Sequence, residues 1–70
     1  MSKTNVKNNI RALRFQCNEM TQQQLAEQVG VIRQTIVAVE KEKYSPSPEA
    51  AFKIAAALGV RLDEVFRYEP

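Results

Sequence analysis

Arg33 and Gln34 stand side by side in "GVIRQTIVAVE", residues 30–40, and both carry long side chains rich in hydrogen-bond donors. If this stretch is a helix that begins just after Gly30, both residues lie in its first turn. At about 100° per residue, Ile32, Ile36 and Val39 fall on one arc and are expected in a core, while Arg33, Gln34, Val37 and Ala38 fall on the opposite arc. The outward arc therefore opens with two polar side chains and continues with two small, uncharged ones. Such a face suits close approach to another surface and recognition through hydrogen bonds. Catalysis is a poor fit. The chain has no histidine, no cluster with metal-ligand spacing, and only Gly30 and Gly59, too few for a phosphate-cradling loop. No enzyme activity, metal or cofactor is expected.

The elements that must hold this arc are helical nearly throughout. Ile10, Leu13 and Cys17 form an inward stripe on a first helix over about 8–18. Thr21 is a good N-cap for a second helix with Leu25, Ala26 and Val29 on its apolar face, and Gly30 ends it. A third helix is expected over about 32–41. Pro46 and Pro48 forbid its continuation, and Ser47 followed by Pro48 reads as the start of a fourth helix, about 48–58, closed by Gly59. That helix turns Ala51, Ile54, Ala55 and Leu58 inward, with Phe52 at the flank. A short fifth helix over about 62–66 carries Asp63 and Glu64 in its first turn, where the helix dipole favours acids.

Seventy residues, 44% hydrophobic and 26% charged, are expected to make one small globular domain. No apolar run is long enough for a membrane span, no signal peptide is evident, and the lone Cys17 fits a reducing cytoplasm. The net charge of +2 says little, but residues 1–18 concentrate Lys3, Lys7, Arg11 and Arg14 with no acid before Glu19. That basic end invites an anionic partner, and solvated surface charge explains it about as well.

Only "VGV" separates the second and third helices, so the pair must cross sharply. Small Ala26, the bend at Gly30 and the inward Ile36 and Val39 satisfy the mechanics of a helix-turn-helix. They satisfy an αα-hairpin in a small bundle equally, and pattern alone does not separate the two. The fuller sequence does. "TQQQLAEQVGVIRQTI", "KYSPS", "AFKIAAALGV" and "LDEVF", in that order and spacing, resemble the Cro/C1-type (XRE) helix-turn-helix regulators, particularly their small, cytolysin-repressor-like members. The resemblance runs from about Asn9 to Phe66. It implies an all-α, five-helix, lambda-repressor-like DNA-binding domain over 1–70, with its core at about 8–67 and the helix-turn-helix at 21–41.

The resemblance further implies that Gln22 touches a DNA phosphate and that Arg33, Gln34 and Val37 face base edges. The chemistry agrees, since arginine can pair with guanine and glutamine with adenine in bidentate fashion, while Val37 can meet a thymine methyl. Thr35 and the helix-start amides suit a phosphate. Lys41, Lys43 and Tyr44 fit phosphate contact too, although the lysines could equally be solvated loop charge and Tyr44 a lid on the core. Glu40 is expected to pair with Arg14, which removes Arg14 from the DNA contacts. Four departures stand out. "RFQCNEM" is one residue longer than the family's usual segment, Ile32 replaces a capping Ser or Thr, Glu42 occupies a common glycine position, and Arg61 replaces a capping serine. Phe15 falls on the outward arc of the first helix, where the "FRYEP" segment or a second subunit could cover it.

A single domain of this kind offers few base contacts, so a homodimer on a palindromic operator is expected, with half-sites about 34 Å apart. Leu62, Val65, Phe66 and Tyr68 are the expected dimer interface, and residues near Thr4–Val6 are expected to pair as a strand with Phe66–Tyr68. Repression of transcription is the default, in a cytoplasmic, nucleoid-associated protein. Two rivals remain: an antitoxin that masks a partner toxin and represses its own operon, and an interaction domain with a vestigial motif.

Overall fold

The computed structural model describes residues 4–70. A short strand, β1 (Val6–Asn8), leads into α1 (Ile10–Gln16), α2 (Gln22–Val29), α3 (Arg33–Glu40), α4 (Pro48–Leu58) and α5 (Leu62–Val65), and β2 (Phe66–Tyr68) returns to β1. The two strands pair antiparallel, Val6 opposite Tyr68 and Asn8 opposite Phe66. Strand pairing of the chain ends was expected, but it begins two residues later than the expected Thr4–Val6. The reason is local: Thr4 donates its amide to the Glu42 carbonyl at 2.9 Å and accepts the Val6 amide on its hydroxyl at 3.2 Å, which turns the chain before the strand begins.

Local signals set the helix boundaries. Thr21 and Gln24 cap α2 reciprocally: the Gln24 amide donates to the Thr21 hydroxyl at 3.0 Å, and the Thr21 amide donates to the Gln24 side chain at 2.8 Å. Ser47 accepts the Ala50 amide at 3.2 Å, with Pro48 in the first turn. Helices α2 and α4 end at Gly30 and Gly59, both left-handed. Helix α3 ends in the same way without glycine. Glu42 takes φ +62°, and the amides of Glu42 and Lys43 close on the carbonyls of Val39 and Ala38. A glycine would take this conformation without strain.

The core collects Ile10 from α1, Leu25, Ala26 and Val29 from α2, Ile36 and Val39 from α3, Ile54, Ala55 and Leu58 from α4, and Val65 from α5. Leu13 and Cys17 pack against it, and the Cys17 thiol donates to the Leu58 carbonyl. Ala51 is only half-buried. Two expectations fail here. Ile32 is 66% exposed, because it precedes the helix with extended torsions (φ −81°, ψ 157°) and the helical period does not apply to it. Val65, expected at a dimer interface, is 1% exposed inside its own core.

After α1 the chain turns through two consecutive left-handed residues, Asn18 and Glu19. Arg14 fixes that turn with both its chains: its carbonyl accepts the amides of Cys17 and Met20, and its guanidinium donates to the Met20 carbonyl at 2.8 Å. Ile32 supplies no side-chain cap to α3 although its backbone is already in capping geometry. Ile32→Ser is therefore expected to stabilise the fold by about 1 kcal/mol. The gain would appear as a higher denaturation midpoint at unchanged slope.

Candidate nucleic-acid interface

One carboxylate joins α1, α2 and α3. Arg14 grips Glu40 with two nitrogens, Nε to Oε2 at 2.7 Å and Nη2 to Oε1 at 3.2 Å, and Gln22 donates its Nε2 to Oε1 at 3.2 Å. Both charged side chains are 10% exposed. The expected Arg14–Glu40 pair is thus present, and it ties α1 and the start of α2 to the end of α3. Gln22 keeps its second amide hydrogen and sits beside first-turn backbone amides. Its side chain, expected on a phosphate, is committed in part to Glu40.

Arg33 and Gln34 are exposed in the first turn of α3, and among the described residues neither side chain has a hydrogen-bond or ion-pair partner. Val37 and Ala38 continue the same arc, half-buried between them and the core. The arc anticipated from the helical period is present as a surface, with two unengaged polar side chains at its leading end. Thr35 lies off this arc and is half-buried, and its amide is already bonded to the Ile32 carbonyl at 3.0 Å. Lys41 and Lys43 are exposed beyond the end of α3. Tyr44 is 50% exposed.

Charge is sorted across the molecule. Lys53 pairs with Glu49 on α4, Arg61 with Asp63 at the start of α5, and Arg67 of β2 with Glu69 just after it. The Arg67 guanidinium, hydrogen-bonded to Glu69, holds that carboxyl below the usual range. Lys7 pairs with Glu42 at 3.4 Å, which places this unfavourable acid opposite a cation. The described cations left without an acid partner are Arg11, Arg33, Lys41 and Lys43. From the sequence Arg11 was read only as part of the basic end at residues 1–18, with no contact of its own. Its signal was there, because an arginine four residues before Phe15 on one helix faces that ring. Phe15, 54% exposed, lies neither under the C-terminal segment nor in the core: the guanidiniums of Arg11 and Arg14 stand 5.9 and 6.0 Å from its centroid.

On the far side, Val6, Leu62, Phe66 and Tyr68 line an open apolar groove across the strand pair. Leu62 and Phe66 also pack on the core, whereas Tyr68 is largely exposed.

Comparison with known proteins places this arrangement. A helix-turn-helix family model matches residues 17–65. An uncharacterized HTH-type transcriptional regulator of Methanocaldococcus jannaschii is 48% identical over 64 residues, covering 91% of this chain and 96% of its own. The Bacillus subtilis regulator YgzD, also uncharacterized, is 41% identical with the same coverage. Among solved structures, a proposed DNA-binding protein from Bacteroides fragilis superposes with a TM-score of 0.77 at 27% identity over 89% of this chain and 98% of its own. The hypothetical transcription factor NHTF from Neisseria superposes with a TM-score of 0.73 at 34% identity over 80% of this chain and 62% of its own.

Proposed function

The chain belongs to the helix-turn-helix family of transcriptional regulators, and on that premise we propose that it binds double-stranded DNA sequence-specifically and represses transcription as a homodimer on a palindromic operator. The observation that carries this reading is the outward arc of α3, where Arg33 and Gln34 are exposed and unengaged at the leading end of a helix set by the Arg14–Glu40–Gln22 hub. Arg33 and Gln34 read base edges by bidentate hydrogen bonds, and Val37 offers an apolar contact to a thymine methyl. Gln22, Lys43 and Tyr44 meet phosphates on either side and fix the register of α3 in the major groove. Thr35 contributes through its hydroxyl alone, since its amide is already used.

Dimerisation uses the groove lined by Leu62, Phe66 and Tyr68, without Val65. Two copies related by a two-fold axis would present two α3 helices to half-sites about one helical turn apart. Repression follows from occupancy, as a bound dimer excludes polymerase from an overlapping promoter.

The test is selection from a random duplex library with the purified protein, read beside its mass in solution. An enriched inverted repeat and a mass twice that of the chain are expected. No enrichment would overturn specific recognition, and a monomer on DNA would overturn the dimer.

A further inference from the structure

The exposed aromatic on α1 has a role that the helix-turn-helix pair does not supply. Phe15 lies between two guanidiniums with different commitments: Arg14 is held by Glu40, while Arg11, one turn before Phe15, has no acid partner among the described residues. At 5.9 Å from its centroid, the ring attracts the Arg11 guanidinium without neutralising it. Arg11 and Phe15 border a depression whose opposite wall is Lys41, at the end of α3, with Gln22 between them. Glu40 also lines it, but its carboxylate is paired with the Arg14 guanidinium and also accepts from Gln22. A second depression joins Arg11 to Arg33, and there Glu19 stands without an ion-pair partner among the described residues, so an anion is favoured in the first.

We propose that Arg11, braced on Phe15, and Lys41 together hold one backbone phosphate of bound DNA in the depression between α1 and the end of α3. This rests on the DNA-binding reading above and extends the interface to a third helix. A duplex lying along the outward arc of α3 runs from Arg33 towards Lys41, which brings its backbone past this depression. The guanidinium fork offers two parallel donors to phosphate oxygens, and Lys41 adds a point charge from the other wall.

The experiment measures equilibrium binding of the full chain to the selected duplex and to a scrambled duplex across a salt series. Arg11→Ala is expected to weaken both by about tenfold and to lower the slope of log affinity against log salt by about one. Lys41→Ala should do the same to the slope. Arg11→Lys should retain the slope while losing part of the affinity. Phe15→Leu should weaken both duplexes less than Arg11→Ala, at an unchanged unfolding midpoint. An Arg11→Ala protein that keeps wild-type affinity and slope overturns the seat, as does a loss confined to the selected sequence. Absence of salt-dependent binding by the wild-type chain would instead overturn the DNA-binding reading itself.

Discussion

Replacing Arg33 and Gln34 together by alanine is expected to abolish discrimination between the operator and unrelated DNA while leaving weak, salt-sensitive binding. Each bidentate base contact distinguishes right from wrong by roughly 1–3 kcal/mol, so the pair accounts for about 2–6 kcal/mol, roughly 30- to 20,000-fold in the specificity ratio. Among the cations that supply non-specific attraction, Arg11, Lys41 and Lys43 are untouched by the change. The fold should also be untouched, since both side chains are exposed and unengaged. Competition binding against scrambled duplex reads the ratio directly. Arg33→Lys provides the finer test, because a lysine keeps the charge and loses the fork. A double variant that still prefers the operator would show that α3 is not the reading element.

Glu40→Ala is expected to be the most damaging single substitution for stability. It strands the Arg14 guanidinium, in a residue 8% exposed, without its counter-charge, and it removes the acceptor of Gln22. Breaking one partner of such a pair costs about 3–5 kcal/mol. A domain of this size has only about 4–10 kcal/mol to lose. Most of the cooperative transition should therefore vanish or move to low denaturant. The control is Arg14→Met combined with Glu40→Leu, which leaves no buried charge and should cost far less. If the double variant is as unstable as Glu40→Ala, the hub contributes through packing rather than through charge.

The signals that were legible in the sequence were local. Thr21, Gly30, the Ser47–Pro48 pair and Gly59 each satisfy or release backbone groups within one turn, so helix boundaries at those residues follow from residue type alone. The inward stripe of Leu25, Ala26 and Val29 needed only the helical period. Misreadings came where a partner lies far along the chain or where the period was applied beyond a helix. Ile32 was placed in the core by a rotation that starts one residue later. Val65 was given to a second subunit because an apolar residue on a short helix does not declare which core it joins. The strand register depended on a bond from Thr4 to Glu42, residues that local pattern does not connect. For the candidate interface, Arg33, Gln34 and Val37 were identified from spacing and resemblance, whereas Arg11 was seen only as one of four cations at the basic end, because which of those cations are neutralised depends on partners far along the chain.

A body whose uncompensated positive charge gathers on one side does not meet a polyanion in random orientation. The field of a duplex turns it before contact, so most collisions begin with α3 and the loop after it facing the helix. The pairs Lys53–Glu49, Arg61–Asp63 and Arg67–Glu69 carry no net charge and add nothing to that orientation. Search along DNA then becomes a succession of short, correctly oriented encounters, fast at low ionic strength and slowed as the screening length contracts to about 8 Å under physiological conditions.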